Sequence, residues 1–112
     1  MIADVSGHGI GAALIGSMLK VCFASQVPHI ADPAHVLTEI NRIIHGRIES
    51  SFVTACAVFI DFKNGVLRYS IVGRLPPILW RKSGSESIRL TQEDRRWHGG
   101  VCAYDKCSAT QS

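Results

Sequence analysis

The 112-residue chain lacks the features that would place a protein in a membrane, outside the cell or on nucleic acid. Its apolar runs fall far short of the ~20 residues that a membrane-spanning helix needs. No signal peptide precedes its four cysteines, so we expect reduced thiols in a cytoplasmic protein. The net charge is only +3, and the twelve basic residues are scattered apart from Arg95 and Arg96 beside Trp97. The sequence therefore predicts no contact with a membrane or with nucleic acid.

The composition of the chain is that of a small globular domain. Apolar residues make up 46% of the chain and charged residues 19%, which argues against intrinsic disorder. A chain of this length can bury a core of its own. There are no internal repeats, and the regular apolar pattern continues to about Leu90.

The first part of the chain predicts a short strand followed by a buried helix. The strand is Ile2–Val5. The apolar segment from Ile10 to about Ser25 has Lys20 as its only charged residue, so we expect a helix that is buried around most of its circumference.

A second, amphipathic helix follows. Asp32 is a good N-cap residue, Pro33 suits the first helical position, and Gly46 is a plausible stop. The apolar stripe of this helix consists of Val36, Leu37, Ile40, Ile43 and Ile44. One apolar face and one polar face predict a helix that lies on the surface of a core.

The next segment predicts strands. Phe52–Phe62 is apolar on both faces, so we expect both faces to be covered. The sequence Lys63-Asn64-Gly65 predicts a hairpin, because Asn-Gly tolerates the positive φ angles of a type I′ turn. Val66–Val72 is the partner strand. After a bend at Gly73–Pro77, Ile78–Trp80 is a third short strand.

The most informative motif lies where the first predicted strand ends. Asp4 is followed by three alternating glycines, Gly7, Gly9 and Gly11, and then by the helix. A carboxylate and exposed carbonyls suit a hard divalent cation, and the first amides of a helix favour a nearby anion. The alternative is that Asp4 only caps a turn and the glycines only allow tight packing. Spacing alone leaves both interpretations open.

A dinucleotide-binding loop is a third interpretation of the same residues. The segment from Gly7 to Ala12 fits the loose pattern G-x-G-x-x-[GA]. However, the carboxylate of Asp4 would repel a pyrophosphate in the absence of a metal. The order helix, helix, hairpin also differs from that of a βαβ unit, so this interpretation is disfavoured.

Further motifs follow the glycine loop in a fixed order. They are Asp32-Pro33, Ser51–Ala55, the Asn64-Gly65 hairpin and Gly73-x-x-Pro76-Pro77. Together they resemble the SpoIIE-type branch of the bacterial PPM metal-dependent protein phosphatases. The resemblance covers residues 1–81 as a partial catalytic domain, and residues 82–112 are predicted to be an unmatched, irregular tail. It implies an α+β fold, a fragment of a sandwich of two antiparallel sheets flanked by helices.

The resemblance also implies a catalytic centre. In such phosphatases two Mn²⁺ or Mg²⁺ ions activate a water that hydrolyses phosphoserine or phosphothreonine. By position, Asp4 would be the catalytic carboxylate that bridges the ions, and the backbone carbonyl of Val5 a ligand. Gly7, His8 and Gly9 would form the loop, with His8 packing or hydrogen-bonding locally. Arg74 stands where relatives carry histidine and is a candidate phosphate contact, or else a solvated turn residue.

Two hypotheses follow for the function of the chain. The resemblance implies a phosphatase for a regulatory phosphoprotein, of the kind that antagonises an anti-sigma factor, with a sensor domain conceivable in a longer gene product. However, the Gly-Asp strand that would precede Met1 and a later Asp-Gly ligand are absent from this sequence. One carboxylate and one carbonyl are few ligands for two such ions. The alternative is therefore a truncated, inactive fragment that acts at most as a protein-binding module.

Overall fold

A computed structural model describes residues 1–48 and 51–80 together with the backbone of two further strands. Its elements are β1 (Ile2–Val5), α1 (Gly9–Ser25), a 3₁₀ turn (Val27–His29), α2 (Pro33–Ile44), β2 (Val53–Asp61), β3 (Val66–Val72), β4 (Ile78–Trp80), β5 (Ser87–Arg89) and β6 (Ala109–Thr110). The fold is α+β, as expected from the sequence. β5 and β6 fall within residues 82–112, and because the rest of that range lies outside the described residues, the irregular tail stays a prediction.

The strands form two antiparallel sheets. The larger sheet has the order β1-β2-β3-β6, and the smaller one pairs β4 with β5. In the larger sheet Asp4 lies opposite Thr54, and Ala55 lies opposite Val72. β1 is thus an edge strand of this sheet within the described part of the chain.

Both helices pack on one face of the larger sheet. The main core cluster joins α1 and α2, and its buried members are Leu19, Cys22, Val36, Ile40 and Ile44. A second cluster packs Leu37 of α2 against Ala55, Ala57 and Val72 of the sheet. The amphipathic pattern therefore placed α2 correctly, with its apolar stripe on the core.

The ends of α2 confirm the expected capping residues. The Asp32 side chain accepts a hydrogen bond from the backbone N–H of His35 at 3.2 Å, and Pro33 occupies the first turn. At the other end Gly46 has a φ of +74° just beyond the helix. A glycine adopts this left-handed conformation without the steric cost that a side chain would bring.

The expected burial of α1 is wrong. Only Leu19 and Cys22 are buried, whereas Ile10 is 82% exposed, Leu14 61% and Val21 71%. Among the described helices and strands, those that approach α1 are α2, β1 and the 3₁₀ turn. These neighbours all lie on one side of the helix, so its outer side remains open.

β2 also departs from expectation, because its two faces are covered unequally and neither is covered completely. On the helix side Ala55 and Ala57 are buried. On the other side Cys56 is half-buried, and Val58 and Ile60 are 42% and 49% exposed. Leu79 of β4 packs against the cluster on this side, but β4 has only three residues and leaves the rest of the face open.

The hairpin between β2 and β3 is confirmed, but its loop has four residues, 62–65, rather than the three between the expected strands. Gly65 has a φ of +64°, as the Asn-Gly pattern suggests. The loop is longer because the Asp61 carboxylate accepts hydrogen bonds from the backbone N–H groups of Lys63 and Asn64 and from the Asn64 side chain. These bonds, chiefly that of the Asn64 side chain, lower the pKa of Asp61.

Two further observations concern membrane contact and thiols. Neither helix in the described ranges is long and apolar enough to cross a membrane. Cys22 and Cys56 are free cysteines, the first buried and the second half-buried. Burial raises the pKa of the Cys56 thiol, against smaller opposing effects of the N-terminal amine and Arg74.

Gly73→Ala should destabilise the protein by about 1–3 kcal/mol. Gly73 has a φ of +64°, and a Cβ at this position would lie only 3.0 Å from Thr54 Cγ2. The measurement is the midpoint of urea unfolding followed by circular dichroism. Gly16→Ala is the matched control, because Gly16 lies inside α1 with no atom within 4 Å of its added Cβ. It should be neutral or stabilising, and equal shifts for the two variants would contradict the prediction.

Candidate metal loop

Asp4 lies near the end of β1, on the sheet face that points away from the helices. Side chains alternate between the two faces along a strand. Val5 packs against the helix core, so Asp4 points to the opposite face, as do Thr54 and Cys56 of β2. The Asp4 side chain is exposed, and within the described part of the chain it has no hydrogen bond or ion pair. Its oxygens are therefore available to a ligand.

The backbone carbonyl of Val5 is available at the same place. The backbone N–H of Ser6 donates a hydrogen bond to the Phe52 carbonyl at 2.9 Å. The N–H and C=O groups of Ser6 therefore face β2. In antiparallel pairs such residues alternate with residues whose N–H and C=O face away from the partner strand. The Val5 carbonyl therefore faces the outer edge of β1, next to the exposed carboxylate of Asp4.

Two glycines shape the turn that follows. Gly7 has a φ of +91° and Gly9 a φ of +80°. No atom lies within 4 Å of a Cβ built on either residue. The loop therefore needs glycine for its backbone conformation and not because of crowding.

His8 is the N-cap residue of α1, but its side chain does not cap the helix. The residue is exposed and its side chain makes no hydrogen bond within the described residues, so the expected local packing or hydrogen bond is not found. No acidic residue occupies the first turn of α1. The first amides of α1 therefore have no acidic or capping side chain beside them, and such amides favour an anion.

Ser6 is a positioning residue that the sequence alone did not reveal. Its backbone N–H binds the Phe52 carbonyl, and its Oγ accepts a hydrogen bond from the Phe52 N–H at 2.8 Å. These two bonds fix the loop to the start of β2. The signal in the sequence was a serine next to the loop glycines, but its partner lies 46 residues away.

Arg74 reaches the same end of the sheet. Val72 lies opposite Ala55, and Gly73 approaches Thr54, which in turn lies opposite Asp4. Two strand spacings therefore separate the backbones of Asp4 and Gly73, about 10 Å. Arg74 is exposed and follows Gly73 directly. The fold thus brings this cation towards the carboxylate, although 69 residues separate Gly73 from Asp4 in the sequence.

The donors at the loop do not by themselves fit a two-metal centre. No group of three or more His, Cys, Asp or Glu residues that could hold a metal ion occurs in the described ranges. Asp61 lies at the other end of β2, seven residues and about 23 Å from Thr54. The loop offers one carboxylate and one carbonyl, which are hard oxygen donors of the kind that Mg²⁺ and Mn²⁺ prefer, but too few to hold two ions.

An apolar cavity of about 440 Å³ is not part of this site. Leu37 and Ile40 of α2 and Ala3 of β1 line it, so it lies on the helix side of the sheet. Asp4 points to the opposite face.

Comparison with known proteins gives a consistent result. A family model described as stage II sporulation protein E (SpoIIE) matches residues 1–96. The chain is 32% identical over 94 residues to phosphoserine phosphatase RsbP of Bacillus subtilis (strain 168), covering 79% of this chain and 23% of RsbP. It is 33% identical over 76 residues to phosphoserine phosphatase RsbU of the same organism, covering 67% of this chain and 23% of RsbU. The chain thus matches about a quarter of the length of these curated relatives.

Proposed function

Because the chain belongs to the SpoIIE family of PPM-type phosphatases, as a partial domain, we propose that it contributes the metal loop of an enzyme that hydrolyses phosphoserine or phosphothreonine. The observation that carries the proposal is the exposed Asp4 carboxylate beside the edge-facing carbonyl of Val5. Both are hard oxygen donors, and the loop after them leads into α1, whose N-terminus favours an anion such as a phosphate.

Each residue of the loop has a proposed role in the complete catalytic domain. Mn²⁺ or Mg²⁺ ions, when bound, supply an acidified water and neutralise phosphate charge. Asp4 would bridge the ions and Val5 would ligate one of them through its carbonyl. Gly7 and Gly9 hold the turn, and the guanidinium of Arg74 offers paired donors to a phosphate. Because the loop alone has too few donors, other parts of the complete domain would supply the remaining ligands.

The proposed substrate is a phosphorylated regulatory protein in the cytoplasm. The support is that two relatives are phosphoserine phosphatases and that the loop resembles those of the SpoIIE-type branch. In that branch the implied substrate is an antagonist of an anti-sigma factor, and a sensor domain in a longer gene product would couple its dephosphorylation to a signal.

The alternative function is that of an inactive fragment that at most binds a protein. Two observations favour it for the chain on its own. The described residues hold only one carboxylate at the loop, and α1 exposes Ile10, Leu14 and Val21. Large exposed apolar groups are more typical of a binding surface than of an isolated enzyme.

We expect the 112-residue chain alone to show no Mn²⁺-dependent hydrolysis of p-nitrophenyl phosphate, because its loop has too few ligands for two ions. Hydrolysis is followed by absorbance over a range of Mn²⁺ concentrations. Mn²⁺-dependent turnover that disappears in Asp4→Ala would contradict this expectation and would show that the chain is a complete catalyst.

The proposal itself is tested in a chimera. The matching segment of RsbP is replaced by the corresponding residues of this chain, and hydrolysis of a phosphoserine peptide is measured with Mn²⁺ and with EDTA. We expect metal-dependent turnover in the chimera but not in the isolated chain. A well-folded chimera with no turnover would contradict the proposal and favour the inactive fragment.

A further inference from the structure

Two histidines that are six residues apart in the sequence lie against each other in the structure. His29 ends the 3₁₀ turn and His35 lies in the first turn of α2. Their ring centroids are 4.7 Å apart in an edge-to-face contact, with the ring planes inclined by 61°. Both residues are exposed. Both imidazoles are therefore accessible from solvent at one place on the surface.

We propose that His29 and His35 form a two-histidine site for a divalent transition cation that prefers imidazole, such as Zn²⁺ or Ni²⁺. A metal–nitrogen bond of about 2.1 Å places the ion about 3.2 Å from each ring centroid. Two centroids 4.7 Å apart then subtend an angle of about 95° at the ion. This angle lies between the octahedral and the tetrahedral value. Because imidazole lone pairs lie in the ring planes, one ring must turn out of the edge-to-face contact before both can bind one ion, and both side chains are exposed.

The backbone that carries the two rings is held by several hydrogen bonds. The Asp32 N–H donates to the His29 carbonyl at 2.9 Å, and the His35 N–H donates to the Asp32 carboxylate at 3.2 Å. Pro33 restricts the backbone between them. The Arg68 guanidinium adds a hydrogen bond to the Ala31 carbonyl at 2.9 Å. Two ligands on a fixed backbone lose less conformational freedom when they bind an ion together.

The charges around the pair are compatible with a cation. The Glu39 carboxylate lies close enough to both rings that each contributes, after Arg42, to lowering its pKa. Asp32 lies in the segment that joins the two histidines. Arg42 is turned towards Glu39, with 2.9 Å between its Nη2 and Glu39 Oε2. The negative charges of Asp32 and Glu39 therefore offset the positive charges of Arg42 and Arg68 at this surface.

This site differs from the metal loop in position and in chemistry. α1 has 17 residues, so about 25 Å of helix separates the glycine loop from the 3₁₀ turn. Imidazole nitrogens select borderline transition cations, whereas the oxygens of the loop select Mg²⁺ or Mn²⁺. No third ligating side chain completes the histidine pair within the described part of the chain, so water would fill the other positions. The inference is independent of the phosphatase function.

Ni²⁺ is the probe that tests the site, because thiolates compete for Zn²⁺ more strongly than for Ni²⁺. The full chain with ¹³C-labelled histidine is titrated with NiCl₂, and the ring resonances are followed by NMR. We expect the signals of His29 and His35 to change together with a single dissociation constant. His29→Gln and His35→Gln should each weaken Ni²⁺ binding by about tenfold or more, because each variant leaves only one imidazole to bind the ion.

His45→Gln is the matched control, since His45 is exposed at the C-terminal end of α2 and does not contact the pair. It should leave the affinity unchanged, and Mg²⁺ should not displace the ion. Circular dichroism of each variant shows whether the helices are intact. Independent dissociation constants for the two rings, or an affinity that does not fall in either single variant with intact helices, would overturn the proposal.

Discussion

Asp4→Asn should lower kcat for phosphoserine hydrolysis in the RsbP chimera by about a thousandfold or more. Asparagine keeps the size of the side chain but lacks the negative charge and the second oxygen that a bridging ligand uses. Asp4 has no hydrogen bond or ion pair within the described residues, so the substitution removes no contact that stabilises the fold. The measurement is steady-state hydrolysis of a phosphoserine peptide over a range of Mn²⁺ concentrations.

Asp61→Asn is the control for this experiment. Asp61 is also a carboxylate on the larger sheet, but it lies in the hairpin and binds Lys63 and Asn64. We expect the same kcat and the same Mn²⁺ dependence as in the unsubstituted chimera. If Asp4→Asn retained full activity, or if both variants lost activity equally, Asp4 would not be a metal ligand.

Ile40→Ala should destabilise the chain by about 2–5 kcal/mol, which is a large part of the stability of a domain of this size. Ile40 is only 4% exposed, in the cluster that joins α1 to α2. Its removal takes apolar atoms out of the core and also enlarges the apolar cavity that Ile40 lines. We expect little closure of this space, because Leu37 anchors the same helix on Ala55 and Val72.

Arg42→Ala on the same helix is the control, because it makes a substitution to alanine at an exposed position and removes nothing from the core. Arg42 is exposed, and its ion pair with Glu39 is a surface pair, from which we expect little net stability. Urea unfolding followed by circular dichroism should show a large fall in the midpoint for Ile40→Ala and a small change for Arg42→Ala. Similar midpoints for the two variants would show that the cluster around Ile40 does not hold the helices together.

Local features of the fold were predictable because each depends on neighbouring residues alone. The Asp32 cap, the stop at Gly46 and the Asn64-Gly65 hairpin follow from hydrogen bonds or φ angles within a few positions. The apolar stripe of α2 predicted four of its buried side chains, although its fifth member, Ile43, is only half-buried. The same kind of argument failed for α1 and β2, because a pattern of apolar residues shows what could be buried but not what lies against it.

The sequence by itself determined the carboxylate, the glycine turn and their order relative to the later motifs, and with them the family. Tertiary structure decided how these residues meet. Pairing of β1 with β2 turns Asp4 away from the helices, turns the Val5 carbonyl to the sheet edge and fixes Ser6 to Phe52. The approach of His29 to His35 likewise depends on the path between two helical elements. Such juxtapositions arise from strand register and chain direction over tens of residues, and local sequence preferences do not encode them.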